Sequence, residues 1–305
     1  MLESLVQHLF DGPVDIVGDV HGEIEALRAL MQHLGYDDDG FHPENRRLVF
    51  VGDLTDRGPD SPAVVDLISK LIESQRAQCV LGNHDLNILL GDRKHDNHWF
   101  FGEPWSLDGT EEVTPAVLAD EQIRQKTVKF FSSLPLVLER DDLRVVHACW
   151  DDPMVEIARR SSDVLALHNE YKTKIERSLE NASELDKTDR NLQHQNHSPV
   201  KVLTSGKEHR IETPFFASGK WRLQDRSPWW KDYASEIDCV FGHYSMYRGD
   251  SDSWSKARCV DFAVAKRWQE RKASTFDGKF RGMLGALRYP EKRVCFDNGD
   301  KENIR

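Results

Sequence analysis

Short apolar runs alternate with helix-length amphipathic stretches along the first third of the chain. Residues 14–17, 48–51 and 79–81 form such runs and read as strands, as do 143–146 and 239–241 further on. Between the first two runs, a helix over about 23–34 places Leu27, Leu30, Met31 and Leu34 on one face and stops at Gly35. A helix over 63–74 follows the second run, and another begins near Asn83 after the third. This is βαβ grammar and predicts parallel or mixed pairing. Further along, 91–112 is polar and aromatic without a period, and 116–131 reads as a helix before Pro135. Strands at 136–138 and 143–146 flank Arg140-Asp141-Asp142, a hairpin turn. One long helix is expected over 154–179, and the polar stretch 184–199 reads as a flexible loop with His194 and His197 solvated. The stretch 207–233 is dense in Arg and Trp but has no long apolar run, and strands return at 239–241, 258–260, 284–287 and 293–295. The expected fold class is α/β, with central mixed β-sheets flanked by helices. The expected organisation is one domain, 1–305, with insertions near 91–133 and 152–233.

Composition narrows the partners. The chain has 305 residues, 39% of them hydrophobic, enough for a buried core. A net charge of −11 argues against an extended nucleic acid as partner. A small phosphorylated molecule stays open, because a bound cation outweighs distant surface charge. The five cysteines, Cys79, Cys149, Cys239, Cys259 and Cys295, show no C-x-x-C spacing, so reduced thiols and a cytoplasmic location are expected. Residues 1–10 are acidic and read as neither signal peptide nor anchor, and no apolar run approaches the roughly 20 residues of a spanning helix.

Five clusters, most just after an apolar run, carry the chemistry. They are Asp19-Val20-His21-Gly22, Gly52-Asp53-Leu54-Thr55-Asp56-Arg57-Gly58, Gly82-Asn83-His84-Asp85, Val146-His147-Ala148 and Phe241-Gly242-His243. Ligands placed just after strands gather along one sheet edge, where open α/β sheets bind ligands. Asp19 and His21 stand two apart, so an extended strand end points both the same way. Asp53 can bridge two cations, Asn83 offers an amide oxygen, and His147 and His243 offer imidazole nitrogens. Oxygen and nitrogen ligands without thiolate suit manganese, iron or zinc. The expected cofactors are two divalent cations, manganese foremost. A pair about 3.5–4 Å apart activates a bridging water for in-line attack on phosphorus. His84 lies beside the ligands and can protonate a leaving alkoxide, with Asp56 holding its tautomer. Arg57 is a bidentate clamp for phosphate oxygens, and Gly52 and Gly58 let the loop turn tightly.

The set resembles the phosphoprotein phosphatase family of calcineurin-like metallophosphoesterases, whose signature is GD-x-H-G, GD-x-x-DRG, GNH-[E/D] and two later histidines. The resemblance covers about 14–92, and more thinly 145–151 and 238–248. It implies a metallophosphoesterase fold, Asp19 and His21 on a first metal, Asp53 bridging, and Asn83, His147 and His243 on a second. It also implies His84 with Asp56 as the acid pair and Arg57 as a phosphate clamp. Gly82-Asn83-His84-Asp85-Leu86 and Phe241-Gly242-His243 are similar to the bacterial symmetrical diadenosine tetraphosphatases. Those enzymes generally lack the acid that Asp56 supplies, and in that respect the chain looks more like the protein Ser/Thr phosphatases, from which Asp85 in place of glutamate departs. The expected activity is therefore a metal-dependent phosphomonoesterase acting on phosphorylated Ser, Thr or Tyr, with dinucleoside polyphosphate hydrolysis as the alternative. The expected substrate is thus a phosphopeptide or a nucleotide.

Outside the core, family members carry a second phosphate-binding arginine before the last histidine. Arg222 and Arg226 are the candidates, with Arg248 third. Tyr244 is expected to line the cleft. Trp221, Trp229, Trp230 and Tyr233 could stack a base or pack the insertion onto the sheet. Asp261 reads as a polar residue at a strand end.

Overall fold

The computed structural model of the chain describes residues 3–94, 96–102, 115–180, 182, 184–217, 220–249 and 256–303. Strands β1 (Val6–His8), β2 (Val14–Val17), β3 (Arg47–Phe50), β4 (Ala77–Cys79), β5 (Val137–Arg140) and β6 (Leu143–Val146) precede a two-stranded hairpin, β7 (Glu208–Ala217) and β8 (Lys220–Arg226). Strands β9 (Asp238–Phe241), β10 (Ala257–Cys259), β11 (Gly285–Tyr289), β12 (Arg293–Phe296) and β13 (Lys301–Asn303) follow. One mixed sheet runs β13-β12-β11-β2-β3-β4 and the other β1-β5-β6-β9-β10. In the first, β2, β3 and β4 are parallel; in the second, β6, β9 and β10 are parallel.

The two-residue period of the strands decides the layering. Val14, Ile16, Val49 and Leu287 of the first sheet and Leu138, Val145 and Val240 of the second meet in one apolar cluster between the sheets. The alternate residues, Val17, Leu48 and Phe50 on one side and Val146, Cys239 and Phe241 on the other, face the helices. Each such aliphatic side chain contributes about 1.5–3 kcal/mol by leaving water. Helices α1 (Ile24–Leu34) and α2 (Ser61–Glu73) cover the first sheet with the apolar faces read from the sequence, and Gly35 ends α1 in the left-handed conformation. Asp15 is the exception in a buried strand. Arg46, Arg288 and Tyr36 all hydrogen-bond its carboxylate, which makes the charge tolerable there.

The hairpin turn at Asp141-Asp142 is present, with Arg140 paired to Leu143. Other expectations need correction. Helix α5 (Glu121–Phe131) begins five residues later than its pattern suggested, because the Asp120 carboxylate caps it by accepting from Ile123 N–H. The long helix is two, α6 (Asp152–Arg159) and α7 (Val164–Leu179), separated where Asp163 caps the second by accepting from Leu165 and Ala166 N–H. The supposed loop 184–199 is mostly α8 (Lys187–Asn196), capped by Asp186 and with no buried residue, so it had no apolar stripe to show. His194 therefore sits on a helix, and His197 follows its last turn. The short helices α3 (Asn83–Leu89), α4 (His98–Phe101), α9 (Pro199–Ser205) and α10 (Arg267–Lys272) complete the set. Much of the 91–112 stretch, from 103 onward, lies outside the described residues. Helices α6 to α9 and the β7–β8 hairpin all fall between β6 and β9. No helix among the described residues is long and apolar enough to cross a membrane.

Candidate metal centre

Six side chains converge from the carboxyl ends of parallel strands in both sheets. Asp19 and His21 follow β2, Asp53 follows β3, and Asn83 opens α3 just after β4. His147 follows β6 and His243 follows β9. All but half-buried Asn83 are at most 7% exposed. Ligand atoms of Asp53, His147 and His243 lie within 4.8 Å of one another, as do those of His21, Asp53 and His84. Asp53 belongs to both groups, the position a bridging carboxylate requires. His21 Nε2 is 3.8 Å from both the Asp19 and Asp53 carboxylates.

The donor set fits divalent cations. His21 Nδ1 faces the Thr55 carbonyl at 3.0 Å and His147 Nδ1 faces the Val51 carbonyl at 2.7 Å. A carbonyl only accepts, so each Nδ1 carries the proton and each Nε2 presents a lone pair inward, the usual second-layer support of a metal-binding imidazole. One end of the Asn83 amide sits 2.7 Å from His243 Nδ1 and 3.3 Å from both His147 Nε2 and Asp53 Oδ2. With its oxygen inward, acceptors crowd one point from four residues, an arrangement that a cation satisfies. The electrostatics agree. Burial, then the charges of Asp261 and Asp53, push Asp19 well above the ordinary carboxylate range. Burial works the same way on Asp53, but His147 and His84 beside it outweigh that and hold its pKa well below that range. Burial and the Arg57 charge lower His21 to about 4, so the ring stays neutral and free to ligate.

His84 is placed differently. Its Nδ1 is 2.7 Å from Asp56 Oδ2, so the ring is held by a carboxylate rather than by a backbone carbonyl. Trp99, on α4, donates its indole N–H to Asp56 Oδ1 at 2.7 Å. Burial raises the Asp56 carboxyl, and the Trp99 hydrogen bond works against that rise. Asp85 is a brace rather than a ligand. It accepts from the N–H groups of Leu54 and Gly82 and from the Thr55 hydroxyl, tying the Asp53 loop to the start of α3. Gly242 is required by close approach: a Cβ there would fall on Asp19 Oδ1 and lie 2.7 Å from Val51 Cγ2.

The family model of the calcineurin-like phosphoesterases matches residues 12–269. The chain belongs to that family. Its fold and its standing as a phosphoester hydrolase follow. Curated relatives include the asymmetrical bis(5′-nucleosyl)-tetraphosphatase PrpE of Geobacillus sp. (strain WCH70), 36% identical over 143 residues, which are 44% of this chain and 56% of that protein. The protein of the same name from Halalkalibacterium halodurans is 48% identical over 141 residues, again 44% and 56%. The matched part thus spans just over half the length of these relatives. A cold-active protein-tyrosine phosphatase from Shewanella shares the fold, with a TM-score of 0.54 and 16% identity, over 98% of this chain and 83% of that one.

The outer candidates divide. Arg57 lines the cleft in front of the cluster, with no hydrogen bond to protein among the described residues. Arg222 and Arg226 also line it, and Arg226 donates to the His243 carbonyl at 2.9 Å. Arg248 does not belong to the cleft; it is paired with Asp300 and Glu302 on the surface. Tyr244 lines the cleft but is wedged against Trp230 and Phe241. Trp229, Trp230 and Tyr233 pack onto the core, while Trp221 is 71% exposed on the hairpin. For two residues the link to the site was not read from the sequence. Asp261 stands two residues past the end of β10, lies beside Asp19 and anchors the turn after His243 by accepting from Ser245 N–H at 2.6 Å. Its place after β10 repeats the strand-then-carboxylate signal of Asp19 and Asp53. Trp99 gave no such signal, since its partner is 43 residues away.

Proposed function

We propose that the chain hydrolyses phosphoesters at a two-cation centre held by Asp19, His21, Asp53, Asn83, His147 and His243, with His84 as general acid. The observation that carries this reading is the buried His84–Asp56 pair, 2.7 Å apart, set against a cluster in which Asp53 serves two ligand groups. When bound, two divalent cations, manganese first among the candidates, would supply an activated water and neutralise the phosphoryl oxygens. The chain's own residues do the rest. Arg57 holds equatorial phosphate oxygens in a fixed fork. Asp56 accepts from His84 Nδ1–H and keeps the ring in one orientation, and Nε2 gives its proton to the departing oxygen.

Between the two substrate classes, we place dinucleoside polyphosphates first. The tetraphosphatase relatives at 36% and 48% identity support that order, as does a cleft of about 890 Å³, far larger than a phosphate needs. Phosphomonoesters, phosphorylated Ser, Thr or Tyr peptides among them, are the second reading. The His84–Asp56 pair favours them, because an alkoxide of high pKa needs a proton more than a nucleotide phosphate does. The deciding measurement is kcat/KM for diadenosine tetraphosphate against a phosphopeptide, with equal manganese. A peptide advantage above tenfold, about 1.4 kcal/mol of transition-state binding, would reverse the order.

A further inference from the structure

The cleft in front of the metal ligands continues over a second group of side chains. Lys94 follows α3, His168 and Lys172 lie on α7, His194 on α8 and Lys201 on α9, and all five line the same cleft as Asp19 and His243. Helix α9 packs on α3, α7 and α8 and so gathers them. With the two metal-holding aspartates set aside, the cleft is lined by six Lys and Arg side chains against the carboxylates of Asp92, Glu208 and Asp225. The whole chain shows the opposite balance, 41 basic residues to 52 acidic. The excess is therefore local.

The cations of this group are under-compensated. Lys94 is paired with Asp92 at 2.6 Å. Lys172 and Lys201 have no ion pair among the described residues. Burial disfavours the charged form of Lys201, and Lys94 and Lys172 add to the effect, with Asp92 and Glu208 opposing it. His168 is 8% exposed, and its Nδ1 has no hydrogen-bond partner among the described residues. A half-buried lysine beside two others, with an unsatisfied buried imidazole nitrogen, is costly unless an anion completes it.

Position sets the class of anion. Helix α3 runs from Asn83 at the metal centre to Leu89, and the segment bearing Asp92 and Lys94 follows it. At 1.5 Å per residue that is on the order of 10 Å, too far for both sites to hold one phosphate. We propose that Lys94, His168, Lys172, His194 and Lys201 form an anion subsite for a second phosphate group of an oligophosphate substrate, along the same cleft as the scissile phosphorus. The assignment rests on the hydrolase reading above and deepens it.

The test compares inorganic triphosphate with orthophosphate as inhibitors of p-nitrophenyl phosphate hydrolysis, with manganese in excess over both. In the Lys172→Ala/Lys201→Ala variant the triphosphate inhibition constant is expected to rise about tenfold or more, each tenfold being 1.4 kcal/mol, while that of orthophosphate changes less than about twofold. Lys172 is exposed, so Lys172→Glu serves as a second variant with little risk to folding and should shift the triphosphate constant in the same direction. An unchanged triphosphate constant, or a parallel change for both anions, would overturn the subsite. The two readings fail separately. If diadenosine tetraphosphate is hydrolysed with a KM indifferent to both variants, the subsite is wrong and the hydrolase stands. If the dinucleotide is not hydrolysed but triphosphate binding depends on the lysines, the subsite stands and the substrate order falls.

Discussion

Replacing His84 by asparagine removes an imidazole that lines the cleft and whose Nδ1 is committed to Asp56. The six side chains proposed to hold metal are untouched, so both cations should remain. A positioned general acid contributes 10²–10⁴-fold, which is about 2.7–5.4 kcal/mol of barrier at 1.36 kcal/mol per decade. Turnover of an alkyl phosphate should fall by that factor. The Asp56→Asn variant should do less. It weakens a hydrogen bond that, if charge-assisted, is worth about 1.5–3 kcal/mol, a loss of about 10–150-fold, and it leaves His84 in place. Because Asp56 acts through His84, the double variant should be no slower than His84→Asn alone. The assay is kcat across a series of leaving groups from alkyl alcohol to p-nitrophenol. The penalty of His84→Asn should shrink as the leaving group improves, since a good one departs without a proton. Equal penalties along the series, with both metals retained by elemental analysis, would refute the acid assignment.

Asp53→Asn should cost at least one cation and nearly all activity, because Asp53 serves both ligand groups; a variant holding two cations tightly by elemental analysis would count against bridging. Gly242→Ala should lower manganese occupancy while leaving the circular dichroism spectrum intact, since its Cβ would press on Asp19 Oδ1. Arg46→Ala, far from the chemistry, should destabilise the fold by about 3–5 kcal/mol in urea unfolding, because Asp15 would lose hydrogen bonds of 2.9 and 3.0 Å at a fully buried carboxylate.

The candidate ligand set could be proposed from sequence because it is written locally. Each ligand stands within four residues of a short apolar run, and the period of those runs also gives the two-sheet core. The motifs alone put the protein-phosphatase reading ahead of the tetraphosphatase one, through Asp56, and the order proposed above is the reverse, because the two readings share the ligands. Over 152–233 the sequence signals are weak for physical reasons. Helix α8 buries nothing, so it shows no periodicity, and its N-cap Asp186 looks like any loop aspartate. Asp163 likewise divides one amphipathic stretch into two helices without altering its composition. The link from Trp99 to Asp56 spans 43 residues, and the lysines of α7 and α9 meet only through packing. Such contacts have no sequence spacing to read.

Backbone strain was hidden for a different reason. His21, Asp53, Asp56, Arg57 and His243 all adopt positive φ, between 48° and 74°, a region that non-glycine residues avoid. Each such residue costs about 1–3 kcal/mol, so five together approach the net stability of an ordinary domain. Local preference alone would put glycine or asparagine at these positions. The surrounding hydrogen bonds over-determine the conformation instead. Val20 and His21 N–H both donate to the Asp53 carbonyl, Asp56 N–H donates to the Ser61 hydroxyl, and His243 N–H donates to the Asp19 carboxylate. Residue identity at these turns is thus dictated by what the side chain must do, and its cost is carried by the bonds that lock one ligand loop to the next. The same coupling explains why the site is built on strand ends of both sheets. A loop free to relax its φ would let Asp53 leave the point where the two ligand groups overlap.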